Sequence, residues 1–313
     1  MTPAIQTAGL TKRYGPATAL ADLTLDVPAG SIFGFLGPNG AGKTTTLKIL
    51  AGLTRSSAGT ATVNGIPVDV QGAHRAQLGY LAQEPRFYGW MTGRQTLEYV
   101  SDFFPGRDRR RVDDLLELVG LADAAEKPTR QYSGGMRQRL GIAQALAGDP
   151  AVLMLDEPAA ALDPMGRHDV LQLLARLRGD KTVFYSTHIL EDVQRVSDHV
   201  AILDRGRLVV SAPTAELMAR ATGGAVRVAL MGAAGDVAAG LGALRGVAGV
   251  SARGREGTEW RYDLQVRDGA TEIVQREVMR FATAHDLVVA ANHQEVLDLE
   301  SVFLQIVNKE RAA

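Results

Sequence analysis

The sequence predicts an α/β core carrying a phosphate-binding loop, followed by a smaller α+β domain. Three observations support this. Gly37-Pro38-Asn39-Gly40-Ala41-Gly42-Lys43-Thr44 fits G-x-x-x-x-G-K-[ST], and it lies between an apolar strand and a helix. Val152-Leu153-Met154-Leu155 is an apolar run ending in Asp156-Glu157, at the strand end where open α/β sheets bind ligands. After Thr222-Gly223-Gly224, which reads as a linker, the order becomes strand, helix, strand, strand, helix, strand, that of a ferredoxin-like unit.

Composition narrows the classes. The 313 residues allow one large or two ordinary domains, and 46% hydrophobic with 22% charged residues is ordinary for a globular chain. A formal net charge of -1 argues against a wholly basic nucleic-acid binder. The absence of cysteine excludes disulfides, Cys-ligated zinc, iron–sulfur clusters and a Cys nucleophile. No stretch reaches the ~18 apolar residues of a membrane helix, and Met1 to Tyr14 has no apolar leader core. A chain without its own membrane segment is expected.

The elements follow in order. Thr24–Val27 and Ser31–Leu36 read as strands around a Pro28-Ala29-Gly30 turn, and Thr44–Ala51 as a helix. Thr60–Val63 and Ile66–Val68 flank Asn64-Gly65, which suits a type I′ hairpin. Arg75–Val100 passes from a short strand through a loop to a helix. Asp113–Val119 is an amphipathic helix stopped at Gly120, and Gly134–Ala147 is another stopped by Pro150. Helix over His168–Leu177, strand over Thr182–Tyr185 and helix over Ile189–Ser197 come next. Val200–Leu203 and Arg207–Val210 form a hairpin, and Pro213–Arg220 is helical. Beyond the linker, strands are expected at Val226–Leu230, Val247–Arg253, Trp260–Val266 and Leu287–Ala290. Helices are expected at Val237–Leu244, Thr271–His285 and Leu297–Val307.

The chemistry of the first motif requires its residue types. Glycines let backbone N–H groups approach phosphate oxygens, and the helix start adds its positive dipole end. Lys43 should reach the β- and γ-phosphates, and the Thr44 hydroxyl should ligate Mg²⁺. Asp156 can hold Mg²⁺ through water, and Glu157 is placed to orient or deprotonate an attacking water.

Tyr132-Ser133-Gly134-Gly135-Met136-Arg137-Gln138-Arg139 lies some 20 residues before Asp156. With the other two motifs it resembles the Leu-Ser-Gly-Gly-Gln signature of ATP-binding cassette (ABC) ATPases, with Tyr132 in place of Leu and Met136 in place of Gln. The resemblance runs from Thr7 to about Arg220. It implies a P-loop NTPase fold of RecA-like core, antiparallel β subdomain and helical subdomain (about 86–147). The domains are then 1–220, binding ATP, and 221–313, an accessory domain that regulates or dimerises.

The resemblance also implies roles. Tyr14 would stack on adenine, and Gly37 through Thr44 with Thr45 would hold the phosphates. Gln83, with Thr44 and Asp156, would serve the metal. Glu157, His188 and Lys43 would be catalytic, and Asp163 would be the D-loop aspartate. Ala160 replaces the Ser usual in the D-loop. Ser133, Gly134, Gly135 and Met136 would contact the ATP held by a second copy, so that two chains sandwich two ATPs with Mg²⁺.

Leu299-Glu300-Ser301-Val302-Phe303-Leu304 resembles the ending of drug-exporting ABC subunits, which pair with a separate ABC-2-type membrane permease. That implies an exporter ATPase, cytoplasmic and peripheral on the inner face of the cell membrane through the permease. Two other readings are an importer ATPase and a soluble ABC ATPase acting on ribosomes or nucleic acid. The chain has a single cassette and no long coiled-coil insertion, and Arg107-Asp108-Arg109-Arg110-Arg111 reads as a solvated helix start, so no nucleic-acid partner is expected.

Overall fold

The computed structural model describes residues 3–68, 72–104, 109–160, 162–221, 225–232, 237–267 and 269–294. Its contacts divide the chain between Thr214 and Ala215 into two compact units. The first unit contains strands β1 (Ile5–Tyr14), β2 (Ala17–Val27), β3 (Ile32–Leu36), β4 (Ala58–Val63), β5 (Ile66–Pro67), β6 (Leu78–Leu81), β7 (Val152–Asp156), β8 (Thr182–Thr187), β9 (His199–Asp204) and β10 (Arg207–Pro213). Its helices are α1 (Lys43–Leu50), α2 (Gly93–Ser101), α3 (Arg109–Leu118), α4 (Gly134–Leu146), α5 (Pro164–Arg176) and α6 (Leu190–Val196). Helix α7 (Thr214–Ala221) follows at the division.

Every residue of β3, β7 and β8 is buried. Strands buried along their whole length belong in a parallel sheet covered on both faces. They occupy the middle of a six-stranded sheet of order β10-β9-β3-β8-β7-β6, in which β10 alone pairs antiparallel. A second, antiparallel sheet has the order β2-β1-β4-β5. Phe33, Phe35, Leu47, Leu50 and Phe184 join its inner residues in one core. Leu97, Leu116, Tyr132, Leu140 and Ile142 of the helical region join Leu153, Leu155 and Leu174 in another.

Local chemistry accounts for the turns. Asn64 and Gly65 have φ of 48° and 75°, and they close the Val63–Ile66 pair as the type I′ turn expected. Arg205 and Gly206, at 47° and 79°, do the same between Asp204 and Arg207. Gly79 has a different constraint. A Cβ there would lie 2.0 Å from the Ala145 carbonyl oxygen, so β6 packs directly on the α4 backbone. Gly79→Ala is expected to cost about 1–3 kcal/mol through forced separation of the two elements. A urea titration monitored by far-UV circular dichroism reads this as a lowered midpoint.

The structure adds or moves several elements. Strand β1 was not expected. Its alternation is broken by polar residues and by pairing irregularities around Gly9, which has a φ of 61°. The strand expected from Thr24 begins at Ala17, and the helix expected from His168 begins at Pro164, capped by Asp163. Pro213 ends β10 rather than opening a helix.

The second unit holds β11 (Ala225–Met231), α8 (Val237–Gly242), β12 (Val247–Glu256), β13 (Glu259–Val266), α9 (Thr271–Ala284) and β14 (Val288–Gln294). Its sheet has the order β12-β13-β11-β14 with all neighbours antiparallel, the arrangement of a ferredoxin-like unit. Val274, Val278 and Ala282 recur every four residues on α9 and pack on Val226, Val228, Leu230 and Leu264. The Thr222-Gly223-Gly224 linker and the closing helix with Phe303 lie outside the described residues.

Candidate functional site

Strand β8 runs between β3 and β7, parallel to both. Their C-terminal ends therefore deliver three segments side by side: the Gly37 loop after β3, His188 after β8, and Asp156-Glu157 at β7. Gln83 follows β6, next to β7. A cleft of about 310 Å³ opens there, walled by Ala19, Asn39 to Thr45, Gln83 and Glu157.

The loop is shaped by its glycines. A Cβ on Gly37 would lie 2.3 Å from the Leu203 carbonyl oxygen, and one on Gly42 would lie 2.6 Å from that of Ala19. Gly42 also has a φ of 106°, a conformation few side chains tolerate. It caps α1 without any side-chain hydrogen bond, and the first turn of α1 carries no acidic residue. The positive end of the helix thus faces the cleft with no carboxylate of its own first turn to neutralise it, as suits an anion site.

Inside the cleft the charges are tightly placed. Lys43, 4% exposed, donates from Nζ to the carbonyl oxygens of Gly37 (2.7 Å) and Pro38 (3.2 Å) and lies 3.4 Å from Glu157 Oε1. The other Glu157 oxygen is 3.0 Å from His188 Nδ1. Thr44 Oγ1 donates to Asp156 Oδ1 at 3.1 Å. Burial, and then the charge of Asp156, push the Tyr80 phenol up to about 12.

Ser186, given no role by the sequence, ties the Asp156 carboxylate to the Glu157 backbone. Its hydroxyl donates to Asp156 Oδ1 (2.7 Å) and accepts from the Glu157 N–H (2.9 Å). That second bond helps hold Glu157 at a φ of 47°, left-handed geometry that is uncommon for a glutamate. The signal was its place two residues before His188, on a strand that had to border β7.

Other expected residues stand elsewhere. Ser133 caps α4, its Oγ accepting from the Met136 N–H at 3.2 Å, and Asp163 caps α5, accepting from Gly166 at 3.2 Å. The two helix starts approach each other: a Cβ on Gly135 would meet the Gly166 Cα at 3.8 Å. None of Ser133 to Met136 lines the Lys43 cleft. Tyr14 is half exposed, with the Lys12 ammonium 4.8 Å above its ring, and it does not line the cleft. Tyr132 is buried and its hydroxyl donates to the Ala124 carbonyl at 2.7 Å. It fits because Gly93 lacks a Cβ, which would lie 2.2 Å from that hydroxyl.

The donors suit Mg²⁺ with a polyphosphate. Among the described residues no cluster of three His, Asp or Glu could hold a metal unaided. Mg²⁺ keeps several waters and needs only one or two protein oxygens beside phosphate, which the Thr44 hydroxyl and Asp156 carboxylate would provide. Among the described residues no helix is long and apolar enough to cross a membrane.

The ABC transporter family model matches residues 20–160. An uncharacterized ABC transporter ATP-binding protein of Synechocystis is 45% identical over 207 residues, covering 64% of this chain and 58% of that protein. The chain thus spans less than two-thirds of that relative's length. A daunorubicin resistance ATP-binding protein of Streptomyces coeruleorubidus is 41% identical over 232 residues, covering 72% of this chain and 73% of that one. Among solved structures, the dimeric ATP-binding cassette MJ0796, bound to ADP and Pi in a post-hydrolysis state, is similar with a TM-score of 0.61 and 26% identity. The match covers 67% of this chain and 98% of that one. With these motifs, this topology and relatives of this similarity, the chain belongs to the family of ABC transporter ATP-binding proteins.

Proposed function

We propose that the chain is the ATP-binding and ATP-hydrolysing subunit that energises an ABC exporter, acting as a dimer with a separate ABC-2-type permease. The observation carrying this reading is that Lys43, Thr44 and Glu157 line one cleft at the strand ends, with Asp156 bonded to Thr44 and His188 to Glu157. Lys43 holds loop carbonyls and Glu157 until phosphate oxygens take their place. Glu157, anchored through Ser186 and its contact with His188, then orients the attacking water as general base. Thr44 and Asp156 would hold a Mg²⁺, which would supply charge neutralisation to the phosphates.

The second half of the site comes from another copy. The start of α4 with Ser133 is a phosphate-type helix terminus, yet it lies outside the chain's own Lys43 cleft. Asp163 sits at the adjacent helix start, in place to touch the facing chain. Tyr14 serves as the adenine platform.

The export assignment rests on relatives. Beside the daunorubicin resistance protein stand a Nod factor export ATP-binding protein of Ralstonia nicotianae, 38% identical, and a bacitracin transport ATP-binding protein of Bacillus licheniformis, 36% identical. Tyr88 and Trp90 follow the Gln83 loop, 61% and 71% exposed, with ring centroids 6.0 Å apart. Such an exposed aromatic pair suits a protein partner. The test is affinity capture of the tagged chain from its native membranes. One integral membrane protein is expected to copurify, and to be lost with Trp90→Ala while nucleotide binding persists. Recovery of ribosomes or nucleic acid instead would overturn the reading.

A further inference from the structure

Asp192, in the first turn of α6, is 1% exposed. A carboxylate so buried must be paired, and burial pushes its carboxyl up while the guanidinium of Arg167 pulls the other way. Arg167 Nε donates to Asp192 Oδ1 at 2.7 Å, and a second guanidinium nitrogen lies 3.6 Å from the exposed Glu191. The other Asp192 oxygen is 3.5 Å from Thr187 Oγ1, which itself accepts from the Ile189 N–H at 3.0 Å. The turn carrying His188 is thus clasped on both sides. The Thr187 carbonyl also accepts from the Gly37 N–H at 3.3 Å. Arg167 lies on α5, and its N–H bonds the carbonyl of the cap Asp163 at 2.9 Å.

We propose that Arg167 and Asp192 are positioning residues for hydrolysis, their ion pair locking the His188 turn to the helix capped by Asp163. Neither lines the phosphate cleft. The pair acts through His188: it fixes α6 and the Thr187 side chain, and they fix the ring against Glu157. A change at Asp163, where a second copy would press, therefore reaches the catalytic carboxylate through one helix and one ion pair. The inference rests on the ATPase reading above.

The test compares Arg167→Ala, Asp192→Asn and Arg167→Lys in the full chain, each also combined with His188→Ala. MgATP hydrolysis, nucleotide affinity, melting temperature and the ¹⁵N resonance of the His188 ring are measured well below the melting point. Arg167→Ala and Asp192→Asn are expected to lower kcat by about tenfold or more, within the range of coupled neighbours. Affinity should change little, and the His188 resonance should shift. Arg167→Lys should recover most of the rate, since the cleft of about 530 Å³ beside the pair can accommodate its different head group. In the His188→Ala background, Arg167→Ala should cost nothing further. Unchanged kcat and an unmoved resonance, or an equal loss in both backgrounds, would overturn the proposal. A wild-type chain that fails to hydrolyse ATP would instead overturn the function, while the resonance would still report on the pair.

Discussion

Glu157→Gln protein is expected to bind MgATP with near wild-type affinity and to hydrolyse it about 10²–10⁴-fold more slowly, the usual cost of losing a general base. The substitution keeps size and hydrogen-bonding reach while removing the charge. The backbone anchor at Ser186 involves the Glu157 N–H and survives the change. The side chain loses its charge attraction to Lys43 (3.4 Å), so the lysine meets phosphate with less competition. A dimer that forms on ATP and cannot discharge it should accumulate. Single-turnover phosphate release together with light scattering reads both effects. Turnover near wild type would remove Glu157 from the proposed chemistry.

Lys43→Ala should act at the binding step. Lys43 and Glu157 are nearly buried, so truncating one strands the other. Losing a desolvated, hydrogen-bonded charge partner costs about 2–5 kcal/mol, roughly 30-fold or more in nucleotide affinity. The loop should survive, because its shape comes from Gly37 and Gly42 packed against the Leu203 and Ala19 carbonyls. Titration with a fluorescent ATP analogue, beside a circular dichroism spectrum, separates lost affinity from lost fold. Unchanged affinity would contradict the placement of the phosphates.

What was legible in the sequence was what backbone geometry demands of residue type. Only glycine fits where a Cβ would strike Leu203 or Ala19, so the loop was legible in its glycines. The apolar runs Ile32–Leu36 and Val152–Leu155 could lie only in a covered sheet, and that placed Asp156 and Glu157 at its rim. The antiparallel hairpins showed in Asn64-Gly65 and Arg205-Gly206. Strand β1 was hidden because bulges at Gly9 interrupt its period and two of its polar residues, Thr11 and Lys12, are only partly covered. Ser186 was hidden because its role exists only once β8 lies beside β7, a long-range pairing that local pattern does not encode. The same holds for Arg167 and Asp192, 25 residues apart and joined only by the packing of α5 on α6. The signature was legible as a helix start, but its separation from the Lys43 cleft needed the fold.

The absence of cysteine gives a clean background for testing the central claim that ATP is enclosed between two copies. Asn39→Cys and Met136→Cys are introduced into separate Glu157→Gln chains, mixed, and oxidised with and without MgATP. One residue walls the cleft and the other lies in the first turn of α4. A covalent heterodimer that forms only with MgATP, and not when Lys43→Ala is added to the Asn39→Cys chain, is the predicted result. Its absence, with nucleotide bound and both thiols titratable, would show that this chain does not close its phosphate site with a second copy's signature helix.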